Sequence, residues 1–113
     1  MGERQLLGEV EQLVLLAILR VGEGAYAVSI REELERSGGV SLSRGTIYVT
    51  LDRLERKGYV TSVFADPTPE PGGKSRRCFR VEHRGLMALR ASHQRVDRLR
   101  AGTVLAPRGN KPS

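Results

Sequence analysis

Lys74, Ser75, Arg76 and Arg77 follow a pair of glycines, and with Arg80 and Arg84 they place five cations in eleven residues that hold one acid, Glu82. Ammonium and guanidinium groups at this density suit phosphate oxygens, whose counterions they displace. A second polar set, Ser43, Arg44, Thr46, Tyr48, Thr50 and Arg53, recurs around Ile47, Leu51 and Leu54 at helical spacing. With those aliphatics turned inward, steps of about 100° per residue put Gly45, Val49, Asp52, Arg53 and Arg56 outward and Thr46, Tyr48 and Thr50 on the flanks. Small residues near the start of this helix leave room for a phosphate at its free amides and positive end, so Ser43, Arg44 and Thr46 are candidate phosphate contacts. Tyr48 has two readings, a hydroxyl offered to a phosphate or a half-buried core ring.

Other chemistries have little to stand on. His83 and His93 lie ten residues apart on one helix and point nearly opposite ways, with no nucleophile motif nearby, so no catalytic residue and no cofactor are expected. Cys78 is the only cysteine, which excludes an intramolecular disulfide and a multi-cysteine metal site and suits the cytoplasm. Its thiol is either a redox sensor beside basic neighbours or an ordinary packed side chain. The longest apolar run, Leu13 to Leu19, is too short for a bilayer, so no membrane partner is expected.

Charge and periodicity indicate what must position these groups. The 113 residues carry 19 Lys+Arg against 13 Asp+Glu, a net of +6. Residues 1–35 have seven Glu against three Arg, a net of −4, which leaves +10 for the remainder. That division implies one face turned to a polyanion and another turned elsewhere. Leu6 to Val21 reads as a helix whose second half is apolar nearly all round, covered either by a partner subunit as well as the core or as the central helix of a monomer. Ala27 to Ser37 is a second, amphipathic helix. A third is capped by Ser43 and stopped by Gly58. From Tyr59 the period becomes two, and it does so again from Arg77 to Glu82. Between these strands Asp66 to Gly73, with three prolines, must form a hairpin loop. A last helix from His83 to Ala101 carries Leu86, Leu89, His93, Val96 and Arg100 as a stripe that Leu99 widens. The predicted fold is mainly α with a small β-hairpin. It is a winged helix-turn-helix over residues 1–82, a C-terminal helix over 83–101 and a disordered basic tail over 102–113.

The opening GEVEQLVLLAIL, the AYAVSIREELE helix, the SRGTIYVTLDRLERKGYV block, the PTPEPGGKSRR hairpin and the closing FRVEHRG together resemble the PadR family of bacterial regulators. The resemblance covers about Leu7 to Leu99. It implies a homodimer whose last helix packs on the partner's first helix and domain, setting two recognition helices on a palindromic operator. Such proteins are generally repressors, sometimes released by a small-molecule effector. The implied interface is Leu6, Val10, Leu13, Leu86, Leu89, His93, Val96 and Leu99. Where the family usually has an aromatic pair near the end of the second strand and a Thr before the last helix, this chain has Cys78 with Phe79, and Glu82. It has no Trp, so a flat aromatic ligand held between interface tryptophans is not implied. The leading expectation is therefore sequence-specific binding of double-stranded DNA. The alternative is a winged-helix module for protein interaction or nonspecific RNA binding.

Overall fold

Gly8, Tyr26, Ser43 and Glu82 are the N-caps of four helices: α1 (Glu9–Val21), α2 (Ala27–Gly38), α3 (Arg44–Arg56) and α4 (His83–Arg100). An antiparallel pair, β1 (Val60–Phe64) and β2 (Arg77–Val81), lies between α3 and α4. The computed structural model describes residues 6–65 and 76–105. The expected hairpin loop at 66–73, Lys74, Ser75 and the tail beyond 105 lie outside the described residues. The mainly helical fold with a small hairpin is the one the sequence predicts.

Capping decides where the elements start and stop. α1 begins at Glu9, later than Leu6, because the Glu11 carboxylate accepts the Gly8 N–H at 2.8 Å and closes the first turn. Leu6 is left exposed ahead of the helix, and Leu7 enters the core in its place. The Ser43 hydroxyl accepts the Thr46 N–H at 3.1 Å and starts α3. At its other end Gly58, with φ of 79°, donates to Glu55 O at 3.0 Å while Tyr59 donates to Leu54 O at 2.9 Å. That is a Schellman closure, which needs a residue comfortable at positive φ. Glu82 makes no side-chain cap for α4; its carboxylate instead accepts from the Thr61 hydroxyl at 2.6 Å.

The core gathers around α1. Val14, Leu15, Ala17 and Ile18 are buried against Ile30 and Leu34 of α2, Ile47, Leu51 and Leu54 of α3, Val60 and Phe79 of the hairpin, and Leu89 of α4. Most of the apolar half of α1 is thus packed within one protomer, while Val10, Leu13, Leu16 and Val21 are only half-buried and Leu19 is 45% exposed. Leu89 corrects the sequence reading. It is 3% exposed within its own protomer, so it cannot face a partner. The hairpin gains a third rung outside the named strands, where Phe79 donates to Ala25 O at 2.7 Å and Tyr26 bridges Cys78.

One buried ion pair ties α1 to the end of α3. Lys57 Nζ lies 2.8 Å from Glu11 Oε2, and Glu11 is 5% exposed. Burial raises the Glu11 pKa, but the Lys57 and Gly8 hydrogen bonds and the charges of Lys57 and Arg53 outweigh it, and the net position is below the ordinary 4.5. A depressed folded-state pKa contributes stability that is present above about pH 4.5 and is lost as pH falls through the folded value. A thermal melt series should therefore show the midpoint falling below about pH 4.5. Lys57→Met should cost about 2 kcal/mol at pH 7 by stranding a buried charge. It should also flatten or reverse the acid slope, because burial alone then acts on Glu11. An unchanged slope would refute the pairing.

Candidate nucleic-acid interface

The outer side of α3 is built in three columns. Ile47, Thr50, Leu51 and Leu54 face the body and are buried. Opposite them Gly45, Val49 and Arg56 form the outermost line. Thr46 and Arg53 flank it on the α1 side, where with Val10, Ser43 and Gly45 they border a shallow cleft. Tyr48 and Asp52 flank it on the hairpin side. Ser43, Arg44, Gly45, Thr46, Tyr48, Val49, Asp52, Arg53 and Arg56 are all exposed, so among the described residues nothing covers this side along its length.

Two sequence-predicted contacts are placed elsewhere. Thr50 is only 4% exposed and its hydroxyl donates to Thr46 O at 2.7 Å, so the hydroxyl serves the helix and Thr50 offers only a sliver of surface at the floor of that cleft. It follows Ile47 by three residues and precedes Leu51, which turns it to the body rather than the flank. Arg77 is engaged as well. Its guanidinium bonds Glu55, lies 3.4 Å from Asp52 Oδ1 and 3.2 Å from Ser62 Oγ, and stacks 5.0 Å from the Phe79 ring. Ser62 in turn donates to Glu55 Oε2 at 2.8 Å. This network braces the hairpin against α3. The signal was present in the strand period: Arg77 precedes buried Phe79 by two residues and therefore shares its inward face.

Arg76 behaves oppositely. It is exposed, with its guanidinium 4.4 Å from the Tyr26 ring, a contact that steadies the side chain and leaves its donors outward. Arg80 is exposed on the face away from α3, and Arg84 lies beside Tyr59. Ser43, Arg44, Thr46, Tyr48 and Arg53 are thus gathered on one surface, with Arg76 at the loop end of the adjoining strand pair. Tyr26, Asp52 and Glu55, which hold the two arginines, carry no mark of that role in the sequence. Cys78 is half-buried and lines a separate groove of about 420 Å³ between the α1–α2 turn and the hairpin. His93 is exposed on α4. Among the described residues no cluster of side chains could hold a metal ion, and no helix is long and apolar enough to cross a membrane.

Solved structures share this architecture. A transcriptional regulator from Clostridium thermocellum matches with a TM-score of 0.68 at 17% identity, over 81% of this chain and 84% of that one. A PadR family transcriptional regulator from Eggerthella lenta matches with a TM-score of 0.66 at 26% identity, over 83% and 81%. One from Clostridium difficile matches with a TM-score of 0.66 at 22% identity, over 83% and 96%. A search of curated proteins finds no match. Residues 15–91 match the transcriptional regulator PadR-like family, a span running from the core of α1 through the free side of α3 and the braced hairpin into α4. This chain belongs to the PadR-like family of transcriptional regulators, DNA-binding proteins rather than enzymes.

Proposed function

We propose that this protein is a cytoplasmic repressor that binds a palindromic double-stranded operator as a homodimer, α3 entering the major groove and the basic hairpin lying along the flanking backbone. The observation that carries the reading is the unobstructed outer side of α3 beside exposed Arg76. Ser43, Arg44 and Thr46 meet phosphate at the positive end of α3, Tyr48 and Arg53 reach the groove, and Lys74 and Ser75 are further candidate backbone contacts by their chemistry alone. A gel-shift titration on the protein's own promoter region should show a preference of at least about 10³ over random duplex at about 0.15 M salt. No preference would overturn specificity.

Gly45 gives a sharper test. An added Cβ meets only Ser43 Oγ, at an ordinary 4.0 Å, so Gly45→Ala should leave the thermal midpoint equal or slightly raised by helix propensity. It should nonetheless weaken DNA binding about 5-fold by holding the backbone off the phosphate. Equal binding would show that this end of α3 does not approach DNA.

The dimer reading rests on α4. Gly85, Leu89 and Ser92 are covered by the protomer, yet the same side continues to Val96 and Leu99, which are exposed, Leu99 at 80%. Leu86 and Met87 add exposed apolar surface nearer the start. We assign Leu6, Leu86, Val96 and Leu99 to the seam, with Val10, Leu13 and His93 at its margin, and half-sites about one helical turn apart. Val96→Asp with Leu99→Asp should give a folded monomer by analytical ultracentrifugation, with operator binding lowered about 100-fold. A dimer that persists would refute this seam.

A further inference from the structure

Resting on that reading of α3 as the DNA-entering helix, we propose that Val49 is a base-reading residue, its isopropyl group seated against the 5-methyl of a thymine in the major groove. Val49 is 55% exposed, while Ile47, Leu51 and Leu54 of the same helix are at most 1% exposed. A lone exposed valine is ordinary on a protein surface. What distinguishes this one is its place on the outermost line of α3 and the way its neighbours clear the approach to it.

Gly45, one turn earlier, has no side chain to hold the helix away from a groove floor. Asp52, almost one turn later, has a carboxylate drawn toward the hairpin by Arg77 at 3.4 Å, so its negative charge is turned from the central line and partly neutralised. Thr46 and Arg53 stand to the other side, and together with Val49 they line the shallow cleft beside Val10. A short branched side chain at the crest of such a surface touches the edge directly beneath it and little else.

The chemistry of the groove then selects the base. The isopropyl group neither donates nor accepts a hydrogen bond. The thymine methyl is the most prominent apolar feature of the major groove, whereas contact with the other base edges would chiefly strip water from donors and acceptors without replacing it. Arg53 lies four residues on, about 6 Å along the axis, which is close to two base steps at about 3.4 Å each. Its guanidinium is suited to guanine O6 and N7, so the two side chains would read separate positions of one half-site.

The test takes the full-length protein through a binding-site selection and then scans the selected duplex, replacing one thymine at a time by deoxyuridine, which removes only the methyl. Wild-type affinity should fall about 4-fold for each half-site at one thymine position, and about 16-fold when both half-sites are substituted, the factor expected for losing one buried methyl contact. Val49→Ala, exposed enough to leave the melting midpoint unchanged, should abolish that sensitivity and retain the others. Val49→Asn should move the preference at the same position toward adenine. A flat uracil scan, or a scan that Val49→Ala leaves unaltered, overturns this assignment alone. A selection that enriches no sequence overturns the specific-DNA reading and this assignment with it.

Discussion

Gly85→Ala should lower the melting temperature by about 10 °C, although alanine is the better helix former. A Cβ at Gly85 would lie 2.3 Å from Tyr59 O and 3.1 Å from Tyr59 C, which is backbone and cannot rotate away. The same carbonyl accepts the Glu82 N–H at 2.8 Å and stands where α3 hands over to β1, so moving it also disturbs the join of hairpin and α4. Overpacking of this kind costs about 3 kcal/mol, helix propensity returns about 1 kcal/mol, and the clash wins by about 2 kcal/mol. That difference corresponds to the stated shift for a domain of this size. Differential scanning calorimetry of the two proteins decides it. A variant as stable as the wild type would mean that α4 does not rest on Tyr59. Because α4 also carries the proposed seam, the variant should dimerise more weakly at equal concentration.

Arg77→Met should reduce operator affinity about 10-fold, and part of the loss should be recovered by adding Asp52→Asn and Glu55→Gln. Removing the guanidinium uncovers two carboxylates beside the surface proposed to meet phosphate and frees the hairpin from α3. Like-charge repulsion and loss of positioning both act against binding, and the first is cancelled by the two amides. Arg76→Ala should differ in kind. It should weaken binding to all duplexes alike and reduce the slope of log affinity against log salt by about one ionic contact, with the melting temperature unmoved. Fluorescence anisotropy across a salt series separates the cases. If Arg77→Met instead follows the Arg76→Ala pattern, with the salt slope lowered by about one ionic contact and the melting temperature unmoved, Arg77 touches phosphate itself and the bracing role is wrong.

Much of this protein was legible before folding. The Ile47, Leu51 and Leu54 spacing locates the inner side of α3, Ser43 and Gly58 mark its ends, and the change of period at Tyr59 marks the hairpin, because each signal lies within a few residues and acts through the backbone's own geometry. The run of cations was equally plain, but its members were not distinguishable by composition.

The amino-acid sequence by itself determined the order of the elements, the inward side of each and the uneven charge, since periodicity, capping and net charge are local or additive. Only the tertiary structure decided that Arg77 braces while Arg76 stays free, that Leu89 belongs to the protomer's own core, and that Gly85 must have no side chain. Those outcomes depend on which surfaces meet across long separations, 25 residues for Arg77 and Asp52, and a side chain's role there is set by the partner the fold brings to it.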